Sequence, residues 1–247
     1  MEKNEIKELA AKAAVDSLVR SNMKLGLGTG TTAIHAVRYV GALLAQGKLE
    51  NVLAVSTSFQ TTIECEKLGI PLFTLNSREI NGELDLTIDG ADEVDQENRC
   101  VKGGGGALLL EKVIAYASIK RAIIVDKSKI VDDLGLKFPV PVEVIIEARL
   151  SVTKRLEKMG AEVILREALR KAGPVITDHG NLLLDIRFKE KINPGVLENE
   201  LNRIPGVVEN GFFTGSGFSQ TSENLLSRTF RPVIFIGCAD NRVEQRD

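Results

Sequence analysis

The sequence KLGLGTGTT at residues 24–32 decides the fold. Its first part, residues 24–28, predicts a short buried strand that runs into a glycine turn. Thr31 or Thr32 can then cap a helix over residues 34–44, whose apolar side chains recur at helical spacing. A strand, a glycine turn and a helix in this order are typical of a sheet with helices packed on it.

The alternation of helix and strand continues on both sides of this stretch. The elements predicted by hydrophobic periodicity are a helix over 6–18, a strand at 52–56, a helix at 61–67, a strand at 84–89, a helix at 108–119 and a strand at 121–125. This alternation predicts an α/β fold with a Rossmann-like parallel sheet and helices on both faces. Such sheets bind ligands at the carboxyl ends of their strands. The turns expected at that edge are Gly28, Ser56, Asp89 and Asp126.

The pattern changes after Leu134, where residues 138–141 (FPVP) form a stiff connector. Beyond it we expect a strand at 142–146, a helix at 149–159, strands at 162–165, 175–177 and 182–188, a helix at 194–203 and a strand at 207–212. These elements contain a β-α-β-β-α-β run, which is typical of a ferredoxin-like α+β domain. We therefore predict a Rossmann-like catalytic domain formed by residues 1–136 and 213–247, and a smaller domain at 137–212. In the tail we also expect a helix ahead of a strand at 233–237.

Composition argues against several classes of function. The net charge of −2 and the absence of tryptophan disfavour a nucleic-acid partner, and no apolar run is long enough to span a membrane. The charged N-terminus does not resemble a signal peptide. Three scattered cysteines predict reduced thiols in a cytoplasmic protein. The two histidines, His35 and His179, are isolated, so clustered ligands for a metal are missing.

The glycine turn at 28–32 is a candidate phosphate site. Backbone N–H groups at a helix N-terminus attract an anion, and the hydroxyls of Thr29, Thr31 and Thr32 add donors. A tight turn with a threonine cap explains the same residues equally well. The turn also fits a dinucleotide fingerprint, but that site needs an acid after the second strand, where residues 56–58 are Ser-Thr-Ser. The P-loop pattern fails because no lysine follows the last glycine.

Two further motifs follow the third strand. The stretch DGADE at 89–93 places three carboxylates within five residues, which suits sugar hydroxyls, magnesium or a solvated acidic turn. The stretch KGGGGA at 102–107 leads directly into an apolar helix that carries Glu111. Because four glycines are costly to order, this is either a linker or a loop closed on a ligand. In the second case its N–H groups form an anion-binding nest beside Lys102.

In combination, these motifs resemble the A-type ribose-5-phosphate isomerase family. The blocks that carry the resemblance, in the family's order, are residues 28–32, 89–93, 102–105, 111–112, 138–145, 175–181 and 204–209. They cover the chain to about Phe213, whereas the tail at 214–247 departs from the family. The resemblance implies interconversion of D-ribose 5-phosphate and D-ribulose 5-phosphate without metal or organic cofactor, in the non-oxidative pentose phosphate pathway.

The resemblance also implies roles for individual residues. The family's general base falls on Glu111, and its other catalytic groups fall on Asp89, Asp92 and Lys102. The substrate-binding positions that it implies are Lys7, Thr29, Gly30, Thr31, Thr32, Asp89, Gly90, Ala91, Asp92, Lys102, Gly103, Gly104, Gly105 and Lys129. We expect a homodimer or homotetramer whose only other partner is a small sugar phosphate.

Three alternatives differ in what they require of these residues. A non-enzymatic sugar-phosphate sensor of the same fold would keep the phosphate turn and would need no base at Glu111. A nicotinamide-dependent oxidoreductase is disfavoured by the missing acid after the second strand. An acyl-CoA transferase of related architecture would use its glutamate as a nucleophile.

Overall fold

The computed structural model of the chain describes residues 2–215 and 231–247. The helices are α1 (Lys3–Leu18), α2 (Gly30–Ala45), α3 (Phe59–Lys67), α4 (Leu108–Tyr116), α5 (Arg149–Lys158) and α6 (Pro194–Asn202), with short 3-10 helices at Lys127–Lys129 and Ile146–Ala148. The strands are β1 (Lys24–Leu27), β2 (Leu53–Ser56), β3 (Leu84–Gly90), β4 (Glu93–Val94), β5 (Cys100–Val101), β6 (Ser118–Asp126), β7 (Val140–Val144), β8 (Glu162–Leu165), β9 (Leu182–Arg187), β10 (Val207–Asn210), β11 (Phe212–Phe213), β12 (Val233–Gly237) and β13 (Val243–Arg246). None of the described helices has the length and hydrophobicity needed to cross a bilayer.

The described chain divides into two compact units. The first unit comprises residues 2–91, 110–129 and 231–247, and the second comprises 92–109 and 130–215. Residues 92–109, 130–136 and 213–215, which the sequence assigned to the catalytic domain, pack with the second unit. The reason is strand pairing: β5 pairs with β4 on one side and with β11 on the other, in a small sheet of order β11-β5-β4.

The first unit is built on a six-stranded sheet of order β13-β12-β6-β3-β1-β2. All of its neighbouring pairs are parallel except β12 with β13, which confirms the predicted Rossmann-like fold. The antiparallel edge strand β13 was not predicted, because its sequence VEQR is mostly polar and contains no buried residue. Since β1, β2, β3 and β6 are parallel, the four turns predicted at their carboxyl ends do lie along one edge.

Small residues let the helices approach this sheet closely. Ala10, Ala11 and Ala14 on α1 are fully buried, and α1 packs against α2, β6 and β12. At Gly237, where β12 ends, a Cβ atom would lie 2.5 Å from the Ile6 carbonyl oxygen, so glycine is required for α1 to lie across this strand end. The resulting apolar core holds α1 and α2 over the strands whose ends carry the candidate site.

The second unit contains an antiparallel four-stranded sheet of order β10-β7-β9-β8. With α5 between β7 and β8, and α6 between β9 and β10, this is the ferredoxin-like arrangement, as predicted. The predicted strand at 175–177 is wrong, since this segment forms only an isolated bridge between Ile176 and Leu182. The predicted strand at 207–212 is divided at Gly211, whose N–H donates to the Pro141 carbonyl while its own carbonyl accepts from the Lys102 N–H.

Two smaller predictions are also changed. The helix predicted at 108–119 ends at Tyr116, because Ser118 starts β6 opposite Leu84 and its hydroxyl donates to the Ile114 carbonyl at 2.8 Å. The predicted cap of α2 at Thr31 or Thr32 is wrong. Thr29 occupies the N-cap position, without a side-chain cap bond. The helix expected ahead of β12 lies outside the described residues.

Glu93 joins two segments of the second unit. Its side chain is 2% exposed, and its carboxylate accepts hydrogen bonds from the backbone N–H groups of Gly135 at 2.6 Å, Lys137 at 3.2 Å and Phe138 at 2.7 Å. A buried carboxylate is tolerated when such donors replace its water. The most acidic motif of the sequence therefore contains a structural residue.

We expect Glu93→Gln to lower the free energy of unfolding by about 2–3 kcal/mol, because the amide presents an NH₂ group to donors that lose their acceptor. Urea denaturation monitored by circular dichroism measures the change. Glu97→Gln, in the exposed turn between β4 and β5, is the matched control and should stay within about 0.5 kcal/mol of the parent. Equal stability of the two variants would contradict the structural role of Glu93.

Candidate active site

Asp89 organises the glycine turn of the first unit. It ends β3 with a side chain that is 2% exposed, and its Oδ1 accepts from the N–H groups of Thr29 at 3.1 Å and Gly90 at 2.7 Å. At Gly28 a Cβ atom would overlap the Asp89 carboxylate and lie 2.6 Å from its Cα. Glycine at position 28 is therefore needed for the turn to reach this carboxylate.

The hydroxyl of Thr29 braces the turn from the other side. It donates to Ser58 Oγ at 2.6 Å and lies 2.7 Å from Thr57 Oγ1 and 3.3 Å from Thr61 Oγ1. The Thr61 hydroxyl in turn donates to the Gly28 carbonyl at 2.8 Å. The sequence did not predict these bracing residues, although the Ser-Thr-Ser stretch at 56–58 lies at the end of the second strand. The Thr29 hydroxyl thus serves the turn, and the hydroxyls of Thr31 and Thr32 remain as the candidate ligand donors.

The N-terminus of α2 is suited to an anion. This helix has 16 residues and no acidic side chain in its first turn. Its dipole therefore presents an uncompensated positive end. The Lys7 ammonium of α1 donates to the Thr31 hydroxyl at 2.7 Å, which places a cation at the same turn. The Gly30 N–H donates to the side-chain oxygen of Gln60 at 3.1 Å, an exposed contact that an incoming phosphate could replace.

Lys7 lies among other charged groups of the first unit. Burial and the charge of Lys3 lower the pKa of Lys7, Asp126 acts in the opposite direction, and Lys129 adds to the lowering. A lysine whose pKa is lowered in this way gains from binding an anion, because the anion restores the stability of its charged form. This places Lys7 and Lys129, both predicted from sequence, in one electrostatic neighbourhood.

Asp126 is the anionic member of this neighbourhood. Burial opposes its ionisation, but hydrogen bonds from the hydroxyl and N–H of Ser128, with the charges of Lys3 and Lys129, lower its pKa overall. The sequence predicted Asp126 only as a turn residue at the edge of the sheet. An ionised carboxylate at this place offsets the repulsion among Lys3, Lys7 and Lys129.

Glu111 lies in the first turn of α4 and is 4% exposed. The neighbouring Lys112 is also buried. Two adjacent buried charges are uncommon outside functional sites, because removing each charge from water is costly.

Lys102 follows β5 in the second unit and is 3% exposed. Its ammonium lies 5.4 Å from the centroid of the Phe213 ring, within the range of a cation–π interaction. Its backbone N–H donates to the Gly211 carbonyl at 2.9 Å, which fixes the start of the glycine loop at 102–106. The charge of this lysine is therefore held in place rather than mobile in solvent.

Asp92 holds the glycine loop. Its Oδ2 accepts from the Gly104 N–H at 2.7 Å, and the Gly106 N–H donates to the Gly103 carbonyl at 2.9 Å. Gly103 and Gly106 have φ values of +101° and +83°, which other residues rarely adopt. At Gly104 a Cβ atom would lie 2.6 Å from Asp92 Oδ1. The loop is thus an ordered turn, which argues against the linker interpretation.

The predicted site residues are shared between the two units. The first unit contains Lys7, Thr29, Gly30, Thr31, Thr32, Asp89, Gly90, Ala91, Glu111 and Lys129, and the second contains Asp92, Lys102, Gly103, Gly104 and Gly105. Within residues 2–215 and 231–247, no three His, Cys, Asp or Glu side chains form a group that could hold a metal. The N-terminus of α2, which is suited to an anion, and the buried carboxylates of Asp89 and Glu111 all lie in the Rossmann-like unit. This combination is typical of α/β enzymes that act on phosphorylated small molecules.

Comparison with known proteins narrows this class. A family model described as ribose 5-phosphate isomerase A (phosphoriboisomerase A) matches residues 53–221. The chain is 52% identical over 221 residues to the ribose-5-phosphate isomerase A of Treponema denticola, across 87% of this chain and 92% of the relative. The solved structure of ribose 5-phosphate isomerase A from Methanocaldococcus jannaschii is 36% identical to this chain, with a TM-score of 0.85. A solved D-ribose-5-phosphate isomerase in complex with phospho-erythronic acid is 34% identical, with a TM-score of 0.89. Each match covers 100% of this chain and 100% of the solved chain. The chain belongs to the ribose 5-phosphate isomerase A family.

The contact between Gly28 and Asp89 predicts a sharp difference between two glycines. We expect Gly28→Ala to lower the free energy of unfolding by about 2–3 kcal/mol, because the methyl group overlaps the Asp89 carboxylate. A Cβ at Gly90 would meet its nearest neighbours at 3.6 and 3.8 Å, so Gly90→Ala should change stability by less than about 0.5 kcal/mol. Chemical denaturation of both variants tests this, and a Gly28→Ala variant as stable as Gly90→Ala would disprove the close approach.

Proposed function

We propose that this protein interconverts D-ribose 5-phosphate and D-ribulose 5-phosphate through an enediolate, with Glu111 as the general base. The observation that carries the proposal is a buried carboxylate in the first turn of α4, in a chain that belongs to the ribose 5-phosphate isomerase A family. The reaction moves one proton between adjacent carbons, so a single carboxylate can remove it from one carbon and return it to the other.

Burial suits Glu111 to this step. A carboxylate with little water around it is a stronger base toward a carbon-bound proton than one that is fully solvated. Its place on a helix fixes its direction better than a loop would. The role requires the oxygen atoms of an ionised carboxylate, which is why an amide of the same size should fail.

The negative charge that develops on the substrate oxygens needs donors that are already in place. Lys102, held by Phe213 and by the backbone bond to Gly211, supplies a fixed cation, and the ordered glycine loop supplies N–H groups. Asp89 and Asp92 are each oriented by backbone N–H groups, so they are preset acceptors for sugar hydroxyls. Through such contacts they would also assist opening of the sugar ring.

Phosphate binding belongs to the α2 turn. Thr31, Thr32 and the N–H groups of the first helical turn would bind its oxygens, with Lys7 and Lys129 supplying charge. The phosphate takes no part in the proton transfer. It supplies binding energy that positions the reacting carbons.

Several broader features complete the proposal. We infer that the reaction needs neither a metal nor an organic cofactor, that it belongs to the non-oxidative pentose phosphate pathway, and that the protein is a cytoplasmic homodimer or homotetramer. Burial of all three free cysteines is consistent with a reducing compartment. Membership of the family supports the pathway. We propose residues 1–136 with 213–247 as the catalytic domain and 137–212 as the small domain, defined by function and not by the packing of the two units.

We expect Glu111→Gln to lower kcat for ribose 5-phosphate isomerisation by about 10²–10⁴-fold with little change in KM, because the amide cannot accept the proton. A continuous assay of ribulose 5-phosphate formation in the presence of EDTA measures both constants. Glu157→Gln, on the exposed face of α5, is the matched control and should retain parental activity.

The outcomes of this experiment separate the alternatives. Near-normal turnover by Glu111→Gln would remove the general-base role. A parent protein that binds ribose 5-phosphate without turning it over would be the sensor described above, and loss of parental activity in EDTA would contradict the metal-free reaction.

The position of Lys7 beside the α2 turn and its lowered pKa predict that phosphate binding depends on pH. Its pKa is lowered, so its charge is present below that pKa and is lost, as pH rises, earlier than that of an ordinary lysine. We therefore expect KM to rise on the alkaline side, and Lys7→Met to raise KM about tenfold at neutral pH and to flatten that rise. Lys12→Met, an exposed lysine on the same helix, should leave the KM profile unchanged. An unaltered profile in Lys7→Met would exclude Lys7 from phosphate binding.

A further inference from the structure

An arginine that no sequence motif indicated lies under the glycine loop of the second unit. Arg166 follows β8 directly, and its Nη1 donates to the carbonyl oxygens of Gly103 at 3.0 Å and Gly104 at 3.2 Å. The Asp92 carboxylate binds the same loop through the Gly104 N–H. The peptide between Gly103 and Gly104 is therefore held at both ends, its carbonyl by a cation and its N–H by an anion.

The guanidinium of Arg166 is itself fixed. Its Nε donates to Asp185 Oδ2 at 2.9 Å and its Nη2 to Asp185 Oδ1 at 2.5 Å, so the pair is bidentate. Asp185 lies within β9, which pairs with β8, and the Arg166 N–H donates to the Leu183 carbonyl. Both ends of the pair thus rest on the backbone of the four-stranded sheet. Support from a sheet is more rigid than support from a loop.

Stability alone is a weak reason to keep such a pair. The two side chains are only 15% and 17% exposed, and the desolvation of a largely buried ion pair offsets much of its attraction. Ordering a run of four glycines, in contrast, requires specific contacts, because each glycine loses more backbone entropy than any other residue. The Arg166–Asp185 pair provides those contacts on the carbonyl side of the loop.

Fixing the carbonyl groups also fixes the direction of the loop's N–H groups. In a trans peptide the N–H points opposite to the C=O of the same unit. With the Gly104 carbonyl directed at Arg166, the Gly105 N–H must point away from Arg166. Gly104 and Gly105 are both exposed, so a ligand can reach this part of the loop.

We propose that Arg166, fixed by Asp185, is a positioning residue that directs the Gly105 N–H toward the oxygen on which negative charge develops during isomerisation. The inference rests on the proposed function and adds a pair of residues to it. Arg166 acts through the loop and does not contact the substrate. Removal of the guanidinium leaves the glycines in place, but the donor is then aligned in only a fraction of the molecules.

The test compares Arg166→Met, Arg166→Lys and Asp185→Asn with the parent and with Arg187→Met, an exposed arginine on β9. Removing a whole preset donor typically lowers kcat by about 10²–10³-fold, so misalignment by Arg166→Met should lower kcat by about 10–100-fold, with KM within about threefold. Arg166→Lys keeps a donor to the carbonyls without the bidentate pair, and Asp185→Asn keeps the shape of the pair without its charge. Both should lie between the parent and Arg166→Met, and Arg187→Met should match the parent.

Inhibition supplies a readout that a purely structural role would not move. Phospho-erythronic acid has a planar, anionic carboxylate that resembles an enediolate in shape and charge. Its inhibition constant should therefore rise in Arg166→Met by about the same factor as kcat falls. Competitive inhibition by inorganic phosphate, which tests only the α2 turn, should stay within twofold of the parent.

Two results would overturn the proposal. The first is a folded Arg166→Met variant with parental kcat. The second is a loss of kcat in which the inhibition constants of both anions rise together. If Arg166→Met does not fold, parental kcat in both Arg166→Lys and Asp185→Asn would overturn it equally. Each of these results requires an active parent, so they are distinct from a failure of the proposed function, in which the parent itself does not isomerise ribose 5-phosphate.

Discussion

The rest of the site depends on hydrogen bonds from backbone N–H groups to three carboxylates within five residues. Asp89 holds the glycine turn before α2, Asp92 holds the glycine loop, and Glu93 holds the segment at 135–138. Each carboxylate binds a different part of the chain, so their mutual repulsion is offset by separate sets of donors. The acidic motif is therefore the point at which three otherwise independent loops are fixed.

These bonds account for the glycines that surround them. A carboxylate can reach backbone N–H groups only if no Cβ atom intervenes, and Gly28 and Gly104 are the positions where one would collide with Asp89 or Asp92. The result is a set of donors and acceptors whose directions do not depend on the bound ligand. Such preorganisation is the principal source of electrostatic stabilisation in enzymes.

The architecture was predictable because the helices and strands of both units follow regular hydrophobic periods. The family was predictable because its motifs occur in this chain in the family's order. Features that depend on partners distant in sequence were not. The structural role of Glu93 depends on residues more than forty positions away, and the Thr29 hydroxyl is occupied by residues about thirty positions away. Strand β13 was not predicted because this edge strand has no apolar pattern. Residues 207–212 were predicted as one strand because their division depends on hydrogen bonds to Lys102 and Pro141, which are distant in sequence.

The position of β12 in the first sheet has a consequence for biosynthesis. This strand, at residues 233–237, lies between β6 and β13, so the hydrogen-bonding edge of β6 has no native partner until nearly the whole chain has left the ribosome. An uncovered edge strand is prone to pair with other chains. The nascent first unit is therefore exposed to mispairing throughout the synthesis of the second unit, whereas the four-stranded sheet can close as soon as β10 emerges.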